Sequence, residues 1–226
     1  MKPAAKPSDR IRVRRLPKRA RYDWESICAI LDAAFLCHVG YVIGGQPFVT
    51  PTAYWRHDRR VLLHGSFASR MLNAVTQGID VCVTVSIVDG LVLARSGFHH
   101  SINYRAAMLF GRARALADEA QKRDAMEAFV ERFFPGRWPQ LRPLTRKELK
   151  ATTVLALDID EASAKVRTGP PIDDEPDYAL PIWAGVVPIA AMQLPAEADP
   201  RLPAGVQQPA YLASLIHLGV GLPPRG

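Results

Sequence analysis

Residues 64–70 read His64-Gly65-Ser66-Phe67-Ala68-Ser69-Arg70. They hold an imidazole, a residue with no side chain, two hydroxyls and a guanidinium, at the start of a segment with helical spacing. Those are the donors and the positive charge that a phosphate needs at close range. The same residues have a plainer use, in which Ser66 caps the helix and Arg70 is a surface charge. A second string is Thr50-Pro51-Thr52. Pro51 has no N–H to give to a sheet ladder, which places it at an edge or a bulge and leaves neighbouring amides open to a ligand; the alternative is an ordinary edge strand that uses proline against aggregation. A third group, Ser101, Asn103, Tyr104 and Arg105, brings two small polar groups, an aromatic ring and a cation within five residues. Read locally, it is also a turn in which Ser101 and Asn103 bond their own backbone.

Other chemistries find less support. Cys28, Cys37 and Cys82 form no Cys-x-x-Cys pair, leave an odd count and each sit in an apolar run. This argues for a reducing, cytoplasmic compartment rather than a disulfide framework. The six histidines (His38, His57, His64, His99, His100 and His217) lack the spacing of a zinc hydrolase helix, so no metal site is expected. His99 and His100 read as loop histidines or as proton donors.

The elements that would position these groups emerge from punctuation and periodicity. The chain has 226 residues, 48% hydrophobic and 23% charged, enough for one domain with appendages. Its net charge of +7 is local: nine basic residues against Asp9 fall within Met1–Arg21, and the remainder is close to neutral. No aromatic residue interleaves that arm before Tyr22, so nucleic-acid binding is not expected and a tail lying over the domain is. The longest apolar run, 78–94, is broken by Asp80, Thr84, Ser86 and Asp89, so neither a membrane span nor, with the basic N-terminus, a secretory signal is expected.

Asp23 is placed to cap a helix with Ile27, Ile30, Leu31 and Ala34 on one face. Two strand-like runs, 35–43 and 46–55, flank Gly44-Gly45 as a tight hairpin, and 60–64 completes a meander after a turn at 57–59. A helix is expected over 66–77, then strands over 81–88 and 91–96 separated by an Asp89-Gly90 turn, and an extended segment over 104–117. Met126, Phe129, Val130 and Phe133 predict a helix from Asp118 that Pro135-Gly136 stops. Thr145 and Glu148 form a capping box before a final strong strand at 152–159. Strands and helices do not alternate strictly, so the order argues against a doubly wound fold and for an antiparallel barrel with helical additions. The expected organisation is a basic arm over 1–21, a barrel domain over 22–190 and a proline-rich tail over 191–226.

Four strings, in this order, resemble the flavin-nucleotide-binding branch of the pyridoxamine 5′-phosphate oxidase-like split barrels, which includes the nitroimidazole-resistance proteins. They are Arg14-Arg15-Leu16-Pro17 with Arg21-Tyr22-Asp23; His64-Gly65-Ser66 with Ser69-Arg70-Met71-Leu72; His100-Ser101-Ile102-Asn103-Tyr104-Arg105 with Phe110-Gly111; and Leu180-Pro181-Ile182-Trp183-Ala184-Gly185-Val186. The resemblance implies a mainly β, six-stranded antiparallel split barrel that forms a homodimer, with FMN held in grooves between the subunits. It places His64, Gly65, Ser66, Ser69, Arg70 and Met71 at the flavin phosphate, and Thr50, Pro51 and Thr52 along the ring edge. Ser101, Asn103, Tyr104 and Arg105 fall at the subunit groove, and Trp183 beside the cofactor. The activity it implies is flavin-mediated oxidation or reduction of a small molecule, nitroaromatics among them. Oxidation of pyridoxamine 5′-phosphate itself is not expected, because the C-terminal region offers only Arg201-Leu202-Pro203 where that enzyme carries an arginine-rich phosphate motif. Two alternatives stay open: a flavin-storing module without efficient turnover, and a haem-binding split barrel in which His64 or His100 ligates iron.

Overall fold

The structure, a computed structural model, describes residues 7–192 and 194–212. Lys2 and Lys6 of the basic arm, and the tail from residue 213 onward with His217, lie outside the described residues. In chain order the elements are β1 (Ala20–Arg21), α1 (Trp24–Asp32), β2 (Leu36–Ile43), β3 (Gln46–His57), β4 (Arg60–Ser66), α2 (Arg70–Val75), β5 (Asp80–Leu93) and β6 (Ser101–Ala115). They continue with α3 (Glu119–Phe133), α4 (Arg146–Ala151), β7 (Thr152–Asp158), β8 (Glu161–Arg167) and β9 (Gly185–Pro188). Every strand pairing is antiparallel, and six strands close a ring in the order β6, β7, β4, β3, β2, β5. Outside it, β8 and β1 extend from β6, and β9 extends from β5. This is the mainly β, six-stranded antiparallel barrel that the sequence led us to expect.

Period-two alternation fills the ring. Cys37, Val39 and Tyr41 of β2, Val81, Val83 and Val85 of β5, and Leu155 and Leu157 of β7 point inward, joined by Ile27, Ile30 and Leu31 of α1 and Met71, Leu72 and Val75 of α2. Burial in this core pushes the Cys37 thiol up to about 12, so it serves as a small hydrophobe. Asp23 caps α1 by accepting from the Ser26 N–H at 2.8 Å, and Gly44 and Gly45 turn the hairpin with φ of 56° and 82°. Thr145 and Glu148 make the expected capping box. On the outside of the ring, α3 covers a second cluster built on Trp55, Leu62, Ala125 and Val154.

Three expectations are corrected. Asp89-Gly90 is not a turn: β5 runs on to Leu93 with a bulge between Val88 and Gly90, because Asp89 is held by Arg105 and because the missing Gly90 side chain lets β9 pair alongside. The helix expected over 66–77 shrinks to α2, because β4 keeps pairing with β7 as far as Ser66. The strand at 152–159 is not the last, since β8 and β9 follow. Residues 7–19 of the arm lie on the barrel, where the Arg10 Nε donates to Glu161 at 2.7 Å and the Val13 N–H to the Tyr22 hydroxyl at 2.9 Å. Among the described residues no helix is long and apolar enough to cross a membrane.

Candidate functional site

The free edge of β3 is the first part of the site. Residues 46–53 pair with β2 on one side only, because β4 joins β3 solely at 54–57. Pro47 and Pro51, four residues apart, direct their nitrogens to the same edge, and only an edge without a ladder tolerates both. Along this hairpin the Thr50 hydroxyl meets the Tyr41 hydroxyl at 3.1 Å, and Tyr41 stacks on Phe48 with centroids 5.6 Å apart. The Arg70 guanidinium lies 4.4 Å from the centre of the Phe48 ring. Thr52, half-buried, turns its hydroxyl back to the Ala53 carbonyl at 3.4 Å.

The end of β4 and the start of α2 form the rim of this edge. Ser69 caps α2, accepting from the Leu72 N–H at 3.4 Å, and the Ser66 hydroxyl accepts from the Ala68 N–H at 3.2 Å. Each hydroxyl keeps its own proton to donate. Gly65 leaves room for Leu72, whose Cδ1 would stand 3.0 Å from a Cβ there, and Met71 is buried in the core, so both seat α2. Arg70 has an exposed charge with no carboxylate partner among the described residues. The structure therefore brings Thr50, Ser66, Ser69 and Arg70 to one end of the barrel.

His64 stands apart from them. Its ring sits against Phe129 at 4.3 Å and Trp55 at 5.8 Å, beneath α3. Its Nδ1 is buried without a partner, and burial lowers its pKa, so the imidazole is neutral. Phe129 continues the row of rings to Phe133 and Phe35.

The third group lies elsewhere, on β6. Arg105 is committed to Asp89 through two bonds of 2.9 and 2.7 Å. The Asn103 side chain donates to the Gly169 carbonyl at 3.1 Å and accepts from Arg167. Tyr104 pairs across the sheet with Val88 and Arg167, and Ser101 with Val92. His100 bonds the Ser96 carbonyl through Nδ1 at 2.8 Å, and His99 Nε2 is 3.3 Å from Asp174. Trp183 is 68% exposed and packs so closely on Gly185 that a Cβ there would meet its ring at 2.9 Å. Arg201 lies away from both groups, in the segment that meets the end of α3.

Sequence reading missed several residues in this region. Arg167 is only 5% exposed, has no carboxylate partner among the described residues, and has its pKa lowered by burial and by Arg19. Arg95 holds the buried Asp173 carboxylate at 2.9 Å; burial alone would raise that carboxyl, but the Arg95 N–H and guanidinium keep it below the usual range. Tyr41 and Phe48 were missed as well, although their places on the two arms of the Gly-Gly hairpin were a usable signal. Among the described residues no cluster of three metal-ligating side chains occurs.

Along the sheet, β2 and β5 separate the β3 edge from β6, three strand spacings or roughly 14 Å. The β3 edge and the β6 group therefore stand on different strands of the ring.

Residues 23–166 match the family described as pyridoxamine 5′-phosphate oxidase. Among solved structures, the flavocytochrome Anf3 from Azotobacter vinelandii is 51% identical, with 92% of this chain and 97% of that one covered and a TM-score of 0.88. The FAD and haem binding protein from Mycobacterium smegmatis is 36% identical, with 88% and 97% covered and a TM-score of 0.84. A protein described as a 5-nitroimidazole antibiotic resistance candidate from Bacteroides thetaiotaomicron shares the fold, at 22% identity, 65% and 86% coverage and a TM-score of 0.54. No curated protein matches the chain.

Proposed function

The chain belongs to the pyridoxamine 5′-phosphate oxidase family, and on that premise we propose that it is a flavin-binding redox protein acting as a homodimer. One observation carries the reading: an unpaired strand edge, β3, lies beside two hydroxyls and a guanidinium that no carboxylate among the described residues neutralises. Ring edges with alternating donors and acceptors suit free backbone groups, and a terminal phosphate suits Ser66, Ser69 and Arg70. The FMN portion common to both flavins is what these residues hold; the Mycobacterium smegmatis relative is named for FAD. When bound, the flavin supplies the electron transfer, to or from a small molecule, a nitroaromatic acceptor included. The chain's own part is to anchor the phosphate at Arg70 and to present the ring edge to β3.

The outer sheet face supports dimerisation. Leu36 and Val42 on β2, Val88 and Leu91 on β5, and Ile102 and Met108 on β6 are all exposed there, and Phe98 beside them is 90% exposed. Large apolar side chains exposed on one sheet face favour an interface. A second copy laid on it would bring Ser101, Tyr104 and Trp183 of one chain towards the β3 edge of the other, as one flavin site per chain requires. Light scattering coupled to absorbance tests this: a dimer with one flavin per chain supports it, and a flavin-loaded monomer contradicts it.

A second reading, haem bound in addition, is favoured by His64. It is neutral, makes no hydrogen bond among the described residues and sits within a row of aromatic rings, which suits an iron ligand. Two relatives above 30% identity are named as a flavocytochrome and as an FAD and haem binding protein. Loss of a Soret band in His64→Ala, with the flavin bands retained, is the expected result.

A further inference from the structure

A cleft of about 460 Å³ opens between α3 and the outer face of the barrel, away from the β3 edge and α2. Its presence is written in side-chain size. The face of α3 that looks onto β4 and β7 carries Gln121, Ala125 and Ala128, at i, i+4 and i+7, and β7 answers with Ala156. Larger residues at these positions would have filled the space, since interiors pack to the density of organic crystals. Trp55, Leu62 and Leu116 complete apolar walls.

Polar groups stand around this apolar volume, and they are only partly spent on each other. Arg60 and Arg114 share a single carboxylate, Asp158, at 2.8 and 2.5 Å, so the pair keeps one positive charge in excess and further N–H donors. Asp124 and Gln121 on α3 have no hydrogen-bond partner among the described residues. Trp55, 2% exposed, contributes its ring to the apolar wall.

We propose that this cleft binds a free α-amino acid with an apolar side chain. The carboxylate takes the excess positive charge at Arg60 and Arg114, the ammonium takes Asp124, and the side chain fills the space that the alanines leave against Trp55, Leu62 and Leu116. One wall carries Arg60, Arg114 and His57, with Asp158 behind them taking up one of the two guanidinium charges, and the facing helix carries Asp124; opposite charges on two walls suit a zwitterion. The volume lies within the usual range for a small-molecule site.

The test is calorimetric titration of the purified full-length protein, with whatever cofactor it carries, using L-phenylalanine as the probe. Two truncated probes accompany it: 3-phenylpropionate, which lacks the ammonium, and phenethylamine, which lacks the carboxylate. Saturable binding of L-phenylalanine is expected, with each truncated probe at least about tenfold weaker, one charged contact being worth roughly that factor. Ala128→Met, which fills the cleft, should abolish binding. Asp124→Asn, at an exposed position that the fold does not need, should bring L-phenylalanine down to the level of 3-phenylpropionate. No saturable heat up to about 10 mM probe, a range that would still detect millimolar binding, overturns the proposal. Equal affinity for all three probes, or unchanged binding in Asp124→Asn, overturns it as well.

Discussion

Arg70, the first residue of α2, lies over the ring of Phe48 on β3, 4.4 Å from its centre. The contact ties the rim of α2 to the unpaired edge of β3 and holds the guanidinium over that edge, with no carboxylate among the described residues to neutralise it. A stacked guanidinium keeps its in-plane N–H donors available, so Arg70 is both positioned and unspent.

Arg70→Ala should weaken flavin binding about tenfold to a hundredfold, the loss of a charge-assisted phosphate contact worth roughly 1.5–3 kcal/mol. Arg70→Lys should fall between the two, since an ammonium keeps the charge but not the fork or the stacking. Titration of flavin-free protein with FMN and with FAD measures this, and an affinity equal to that of the parent would remove Arg70 from the site.

The pair between Asp89 and Arg105 is of another kind. Its side chains are only 9% and 16% exposed, and it fixes the bulge beside which β9 pairs. Asp89→Ala should cost about 3–5 kcal/mol, because it strands a buried guanidinium. Asp80→Ala, which breaks the exposed pair with Arg112, should leave the unfolding midpoint unchanged. Urea unfolding distinguishes the two.

His64 predicts a pH dependence. Burial lowers its pKa from the ordinary 6.5, so between the folded value and 6.5 the unfolded chain binds the extra proton. Stability from this residue is therefore complete above pH 6.5 and declines as pH falls below it. His64→Phe should flatten that decline; equal acid sensitivity in parent and variant would contradict the assignment.

Two glycines should behave differently. A Cβ on Gly111 would stand 2.1 Å from the Asp158 carbonyl oxygen, a backbone atom that cannot yield, so Gly111→Ala should cost at least about 2–3 kcal/mol. Gly44 has φ of 56° and open space around it, so Gly44→Ala should cost only the left-handed conformation, about 1 kcal/mol. Thermal unfolding of both variants measures the difference.

The ring was legible because its determinants are local. Alternation in 81–88, the Gly-Gly hairpin, and the caps at Asp23, Asp118 and Thr145 each act within a few residues. β8 escaped notice because Glu161-Ala162-Ser163-Ala164-Lys165 lacks β-branched residues until Val166; its strand state comes from pairing with β6. Asp89-Gly90 reads as a turn for the same reason, since the tertiary partners that make it a bulge, Arg105 and β9, lie far away in sequence. In the candidate site, the donors Ser66, Ser69 and Arg70 are visible within their own segment. What distinguishes Arg70 from Arg105 is not, because both are arginines beside polar residues, and only the fold brings Asp89 to one of them.

The visible absorption spectrum of the freshly purified protein, followed by acid release of any chromophore, tests the central claim most directly. Flavin binding predicts two bands in the visible and near-ultraviolet and a released FMN or FAD, with a Soret band beside them if His64 also holds haem. A colourless protein that neither FMN nor FAD can restore would contradict it.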